Sequence, residues 1–353
     1  MAAAARSAPV GRLAEEAPAA DSALQSAADE IREMRAALLA WYRVHKRDLP
    51  WRATHDPYRI WISEIMLQQT RVAAVLEHYR LFLAAFPTVQ ALAAASEAEV
   101  LALWSGLGYY RRARMLHRAA KLVVEERAGA IPRTVEGLRT LPGVGSYTAA
   151  AVASIAFDEP TAVVDGNVER VLARVAGWSA AEAGFATRAG TFAAMLVDPE
   201  QPGDFNQGMM ELGATVCLPR APLCLGCPWQ PWCRTRGEHP VPARRAQQRQ
   251  HSARVVWLRG TGARQQVRLV QRAEDASLLA GMWELPGYEA KAAESPEFTV
   301  RHAITVTNHV VDVYMRSGAM RGLEGEWVPA SELSQRALTG LTRKVLRRLG
   351  CMP

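Results

Sequence analysis

Between Ile31 and about Ala214, apolar residues recur at helical spacing. Ile31, Met34, Leu38, Leu39 and Tyr42 share one face, and Val168, Val171, Leu172 and Val175 share another. Asp56 before Pro57 predicts a capped helix with proline in its first position. Ser96 and Glu99 have capping-box spacing ahead of an apolar run, and Gly177 stands where a helix should stop. Alternating β-branched runs are scarce, so 30–233 reads as all-α. A proline- and arginine-rich stretch, 234–252, reads as a linker. Beyond it 253–270 and 298–316 alternate with valine and threonine, as strands do, and 329–349 returns to helical spacing. The tail of the chain, 253–353, is thus expected as an α+β domain. Residues 1–29 are alanine-rich and acidic, without an apolar signal core, and read as a disordered tail.

Bulk properties narrow this frame. The 353 residues, 49% hydrophobic, suffice for about two domains. The formal charge is +7. The first thirty residues carry two arginines against five acids, a net of −3, so the remainder holds +10. A basic body suits a polyanion, although the same charge can serve solubility alone. No uncharged apolar run reaches the ~18 residues of a membrane span, so no membrane partner is expected.

Four of the five cysteines fall within seventeen residues: Cys217, Cys224, Cys227 and Cys233. Such clustering is unlike a secreted disulfide framework and reads as a metal site in a reducing compartment. Four thiolates on one short loop can hold an iron–sulfur cubane or a zinc ion, and spacing alone leaves both open. No acid or histidine lies between them, so a structural role is the plainer one.

Leu141-Pro-Gly-Val-Gly145 separates a short helical segment from an alanine-rich one starting at Ser146. Gly143 and Gly145 let backbone N–H groups approach a phosphate at a helix N-terminus. A turn this short is also an ordinary helix–helix connection. Two carboxylates complete the chemistry. A carboxyl held neutral beside one held ionised is the pairing that glycoside hydrolysis uses, one as general acid and the other as stabiliser of the developing cation. Glu64 lies among Trp61, Ile62, Ile65, Met66 and Leu67, where desolvation would favour its protonated form. Asp165 precedes a helix whose N-terminus would favour its ionised form. The bland alternatives are an exposed helical glutamate and a capping aspartate.

The blocks "LPWR", "WISEIMLQQT", "GLGYYRRAR", "LPGVGSYTAAA", "VVDGNVERV" and "NQGMMELGATVC" occur in order. From about Ala40 to Cys233 the chain resembles MutY-type adenine glycosylases, of the endonuclease III branch of the helix–hairpin–helix glycosylases. The resemblance implies an all-α helix–hairpin–helix core with an iron–sulfur loop, its four cysteines holding a [4Fe–4S] cluster. It implies Glu64 as the acid at adenine N7 and Asp165 as the carboxylate facing the anomeric carbon, with Tyr147 and Asn167 assisting. Gln69 and Tyr109 fall where the family inserts side chains into the DNA stack, and Trp51 and Arg52 fall beside the adenine pocket. Related lyases carry a lysine at position 147. Tyrosine cannot form their Schiff base, so glycosylase activity without strand cleavage is expected. Extruding a base leaves a gap to be filled, and Val100–Val124, with five cations and no acid, suits the phosphate backbone.

"LLAGMWELPG" at 278–287 resembles the Nudix-like C-terminal domain of the same enzymes. The glutamate array of a true Nudix hydrolase does not follow, which disfavours a pyrophosphatase. By resemblance this domain reads the oxidised guanine opposite the adenine. The family's Phe-Ser-His recognition loop has its nearest match at Thr307-Asn308-His309, without the aromatic, which makes Asn308 and His309 candidate contacts. The expected partner is duplex DNA with adenine opposite 8-oxoguanine or guanine, and the expected setting is a cytoplasmic, nucleoid-associated monomer. Two rival readings are a glycosylase/lyase for damaged pyrimidines and a non-catalytic iron–sulfur DNA-binding module.

Overall fold

The computed structural model describes residues 17–237, 248–276, 278–304, 307–317 and 325–352. Its helices are α1 (Ala17–His45), α2 (Pro57–Leu67), α3 (Val72–Ala85), α4 (Val89–Ala94), α5 (Glu97–Trp104), α6 (Arg111–Arg127), α7 (Val135–Arg139), α8 (Ser146–Phe157), α9 (Gly166–Ala176), α10 (Phe185–Leu196), α11 (Pro202–Thr215) and α12 (Gly340–Arg348). Its strands are β1 (Gln248–Arg259), β2 (Gln266–Gln271), β3 (Trp283–Glu284), β4 (Phe298–Ile304), β5 (Thr307–Ser317) and β6 (Glu326–Pro329). The described residues form two compact units, 17–48 with 150–237 and 49–149 with 248–352, and the division falls inside α8.

In the first unit α1, α9, α10 and α11 bury one core. Met34, Leu38 and Leu39 of α1 meet Val168, Val171, Leu172 and Val175 of α9 there, with Leu212 of α11 and the fully buried Trp229. Both predicted apolar faces therefore point inward; Ile31 is only partly buried. Gly177 ends α9 in the left-handed region at φ 69°. Gly213 brings α11 close to α9, since a Cβ there would lie 2.7 Å from that of Asn167.

The second unit joins helices to a sheet. Asp56 caps α2 by accepting from the Tyr58 and Arg59 N–H groups, with Pro57 in the first turn. Ser96 and Glu99 close a reciprocal capping box on α5. The sheet runs β3-β2-β1-β5-β4, with β6 also paired to β2. β1 and β5 are parallel and the other pairs antiparallel. Leu341, Val345 and Leu346 of α12 share a core with Val256, Val267, Val311 and Val313 of the sheet, giving the expected α+β, Nudix-like character. Sheet and helices meet within this unit. The Ser105 and Tyr110 hydroxyls both donate to the Leu338 carbonyl, at 2.8 and 3.1 Å, and Arg114 donates to that of Ala280 at 2.7 Å.

Three expectations change. Helix α1 begins at Ala17, so 17–29 are helical rather than a disordered tail; alanine-rich sequence propagates a helix that buries its apolar face further on. The expected linker is shorter than 234–252. Arg234 and Thr235 donate backbone hydrogen bonds to Val175 and Arg174 at the end of α9, and β1 begins at Gln248 because its register with β5 extends that far. Finally, Thr307-Asn308-His309 is not a loop. These residues open β5, opposite Ile304, Ala303 and His302 of β4.

Candidate active site and cysteine loop

Helix α2 is buried along nearly its whole length, from Tyr58 through Met66. Glu64 is thereby only 5% exposed, which removes its reading as a solvated glutamate. The Tyr147 hydroxyl, in the first turn of α8, donates to Glu64 Oε2 at 2.9 Å. One turn along α2, Gln68 Nε2 donates to Thr148 Oγ1 at 3.0 Å. Two successive residues of α8 thus fix the face of α2 that carries the carboxyl. Trp51 is buried in a 3₁₀ turn, edge-on to Tyr79 with centroids 5.3 Å apart, and Arg52 beside it is half-buried.

Asp165 is half-buried and caps α9. Its Oδ1 accepts from the Asn167 and Val168 N–H groups at 2.9 and 2.8 Å, and its Oδ2 from Asn167 Nδ2 at 2.9 Å. Asp165 thus fills the capping role that the sequence left open for it. The approach to it is braced by Asn206, 1% exposed, which accepts from Val163 N–H at 3.0 Å and donates to the Thr161 carbonyl and the Ser154 hydroxyl. Glu64 and Asp165 belong to different compact units.

From Asn167 a chain of contacts leads to the cysteines. Arg170 donates to Asn167 Oδ1 at 2.9 Å, to the Gly213 carbonyl at 2.7 Å and to the Cys217 carbonyl at 2.8 Å. One turn later Arg174 reaches Cys217 Sγ at 3.3 Å and the Leu218 carbonyl at 2.6 Å. The four cysteines, unpaired, line one cavity together with Arg174, Val171, Val175 and Val216. Burial pushes the Cys217 thiol up and that of Cys227 to about 11. The Arg236 N–H points at Cys233 Sγ at 3.4 Å. Among the described residues, no three His, Cys, Asp or Glu side chains gather closely enough to hold a single metal ion.

Gln69 and Tyr109, the predicted wedges, are both exposed, and both have left-handed backbones, with φ of 54° and 49°. For residues other than glycine that conformation costs roughly 1–2 kcal/mol each. Gly143, at φ 78°, lies where a Cβ would come 2.6 Å from that of Met115, whereas Gly145 has open space around it. Both glycines are exposed at the start of α8. Asn308 and His309 are adjacent strand residues, so their side chains leave opposite faces of the sheet. Residues 305–306 lie outside the described residues.

Sequence reasoning missed Asn206, Arg170 and Arg174, and it took Arg112 only as one of five cations suited to the phosphate backbone, whereas its guanidinium turns inward onto the Ile65, Met66 and Gln68 carbonyls. Arg170 and Arg174 are four apart on α9, which signals a shared face but not its partner. Nothing in the sequence marks Arg112 off from its neighbouring arginines.

Residues 62–189 match the HhH-GPD superfamily of base excision DNA repair proteins, the class that the helical fold and glycine hairpin define. The chain is 52% identical over 216 residues to an adenine DNA glycosylase of Rattus norvegicus, covering 58% of this chain and 42% of that one. It is 35% identical over 323 residues to that of Schizosaccharomyces pombe, covering 74% and 70%. Among solved structures, a thermostable thymine-DNA glycosylase aligns with a TM-score of 0.55 and 31% identity over 59% of this chain and 97% of its own. A trapped endonuclease III–DNA covalent intermediate aligns with a TM-score of 0.51 over 59% and 96%; at 23% identity it shows the fold alone. The chain belongs to the adenine DNA glycosylase family. It spans about two-fifths of the length of the Rattus norvegicus and Homo sapiens relatives it matches.

Proposed function

We propose that the chain removes adenine from duplex DNA, where it faces 8-oxoguanine or guanine, by hydrolysing the N-glycosidic bond without cutting the strand. The observation that carries this is the Tyr147 hydroxyl on the buried Glu64 carboxyl. A lyase needs a nucleophilic amine beside its acid. Here a phenol stands there, able to hold a carboxyl but not to form a Schiff base. Glu64 supplies the proton to adenine N7, the C1′–N9 electron pair leaves with the base, and water adds at C1′, its spare proton returning to the Glu64 carboxylate. Asp165 offers its charge to the sugar cation, with its orientation set by the cap and by Asn167. A positioned general acid contributes about 10²–10⁴-fold.

Cys217, Cys224, Cys227 and Cys233 would hold a [4Fe–4S] cluster. The surroundings suit it: the thiols ring a common cavity, and a guanidinium and a backbone N–H face two of the sulfurs, as anionic thiolates require. When bound, the cluster supplies no step of the hydrolysis and stiffens the loop that Arg170 and Arg174 tie to α9.

The test is a duplex with adenine opposite 8-oxoguanine, incubated with the protein and analysed with and without alkali. Breaks only after alkali are expected. Breaks without alkali would mean a lyase, and no adenine release would leave only a binding module or a pyrophosphatase.

A further inference from the structure

Arg112 on α6 reaches six acceptors with its guanidinium. Its Nη1 lies within hydrogen-bond distance of the Ile65, Met66 and Gln68 carbonyls, at 2.8, 3.0 and 2.5 Å. Its Nη2 donates to Thr70 Oγ1 at 3.0 Å and to the Leu107 and Gly108 carbonyls at 3.1 and 3.2 Å. The first four groups belong to the end of α2 and the turn after it, the last two to the turn before α6. The guanidinium also lies over the rings of Trp104 and Tyr109, at 5.4 and 5.5 Å. No carboxylate is among its partners, so a half-buried cation is held by neutral oxygens and two aromatic faces. Surface stability does not explain such an arrangement, because burying a charge without a counter-charge costs free energy.

Its partners bracket two residues. Gln68 and Thr70 flank Gln69, and Leu107 and Gly108 precede Tyr109. The bracketed side chains themselves are exposed, on left-handed backbones that would relax if the turns were released. Carbonyls at a helix C-terminus lack intrahelical partners, and here one guanidinium satisfies those of α2 while reaching the other turn.

We propose that Arg112 is a positioning residue that locks the Gln69 and Tyr109 turns into one rigid two-pronged wedge, so that both side chains enter the DNA stack together when the base is extruded. This rests on the reading of the chain as a base-extruding glycosylase. Arg112 touches neither the reacting nucleoside nor Glu64. Its loss should slow extrusion and leave the bond-breaking groups as they are.

The test uses the full chain and a duplex with 2-aminopurine at the target position opposite 8-oxoguanine, whose fluorescence rises on unstacking. Arg112→Met should slow extrusion by about tenfold or more in the parent background. With Gln69→Gly and Tyr109→Gly already present, it should cost less than about twofold, because the prongs it positions are gone. Glycine tolerates both left-handed positions, so that background keeps the turns. Equal losses in both backgrounds would mark Arg112 as merely structural and overturn the proposal, as would no loss in either. Should Arg112→Met fail to fold, Arg112→Lys replaces it, since an ammonium keeps the charge but cannot span both turns. If the double-glycine protein extrudes the base as fast as its parent, the wedge itself is refuted and this inference with it. Adenine release by the parent protein, measured separately, reports on the glycosylase reading.

Discussion

Glu64 and Asp165 are both held by hydrogen bonds, yet by opposite means. Glu64 sits on a helix shut away from water, and its Oε2 is held by another side chain, the Tyr147 hydroxyl. Asp165 stands half-buried at a helix start, with two backbone N–H groups on its Oδ1. Packing against a second helix fixes the first, and the geometry of its own helix fixes the second. The Tyr147 bond to the glutamate involves no backbone group, whereas any change at the aspartate also touches the cap of α9.

That contrast makes the largest predictions separable. Glu64→Gln keeps the volume and loses the proton; Asp165→Asn keeps an acceptor for the cap and loses the charge. Each should lower single-turnover adenine release by about 10³-fold or more while mispaired duplex is still bound. Asp165→Ala should in addition destabilise the fold by about 0.5–2 kcal/mol, because alanine cannot cap. Turnover retained in either conservative variant would end the assignment. Denaturation midpoints equal in Asp165→Ala and Asp165→Asn would show that the cap contributes nothing.

The same contrast explains what the sequence made legible. Local signals were read well. The cap at Asp56, the capping box at Ser96 and Glu99, and the stripes of α1 and α9 each depend on residues a few positions apart. Of the residues that the family blocks single out, Tyr147 meets Glu64 and Asn167 meets Asp165. The failures lie where long-range pairing decides. Thr307-Asn308-His309 resembled a loop motif, but its backbone is taken up by β4 and β1, and a strand sends neighbouring side chains to opposite faces. Arg170 and Asn206 were invisible, and Arg112 was taken for a phosphate contact, because their partners are mostly backbone carbonyls or N–H groups, which carry no residue identity.

A smaller effect tests whether the Asp165 side is as self-contained as its cap suggests. Arg170 joins Asn167 to the Gly213 and Cys217 carbonyls, so α9 is also held from the cysteine loop. Arg170→Ala should lower adenine release by about tenfold, from hydrogen bonds to a charged group worth about 1.5–3 kcal/mol. It should also reduce the iron content of purified protein, measured together with its visible absorbance. Glu64→Gln should leave iron content unchanged. An Arg170→Ala protein with full iron and full rate would show that the aspartate is oriented by its cap alone.

The smallest expected effect separates the two units by pH. Burial pushes the His117 and His302 imidazoles below 6.5, with Lys121 adding to it for the first and Lys344 and His309 for the second. Below about pH 6.5 the unfolded chain takes up protons that the folded chain still refuses, so stability must fall as pH drops through that range and is retained above it. His117 lies on α6, where its Nε2 meets the Ala95 carbonyl, and His302 on β4, against Gly340. Both belong to the unit that carries Glu64. Hydrogen exchange followed from about pH 7.5 to about pH 5, corrected for intrinsic rates, should show α6 and β4 losing protection before α9 and α11. His117→Gln with His302→Gln should flatten that difference. Uniform loss across both units, unaltered by these substitutions, would mean that acid acts on the chain as a whole and that the glutamate side has no weakness of its own.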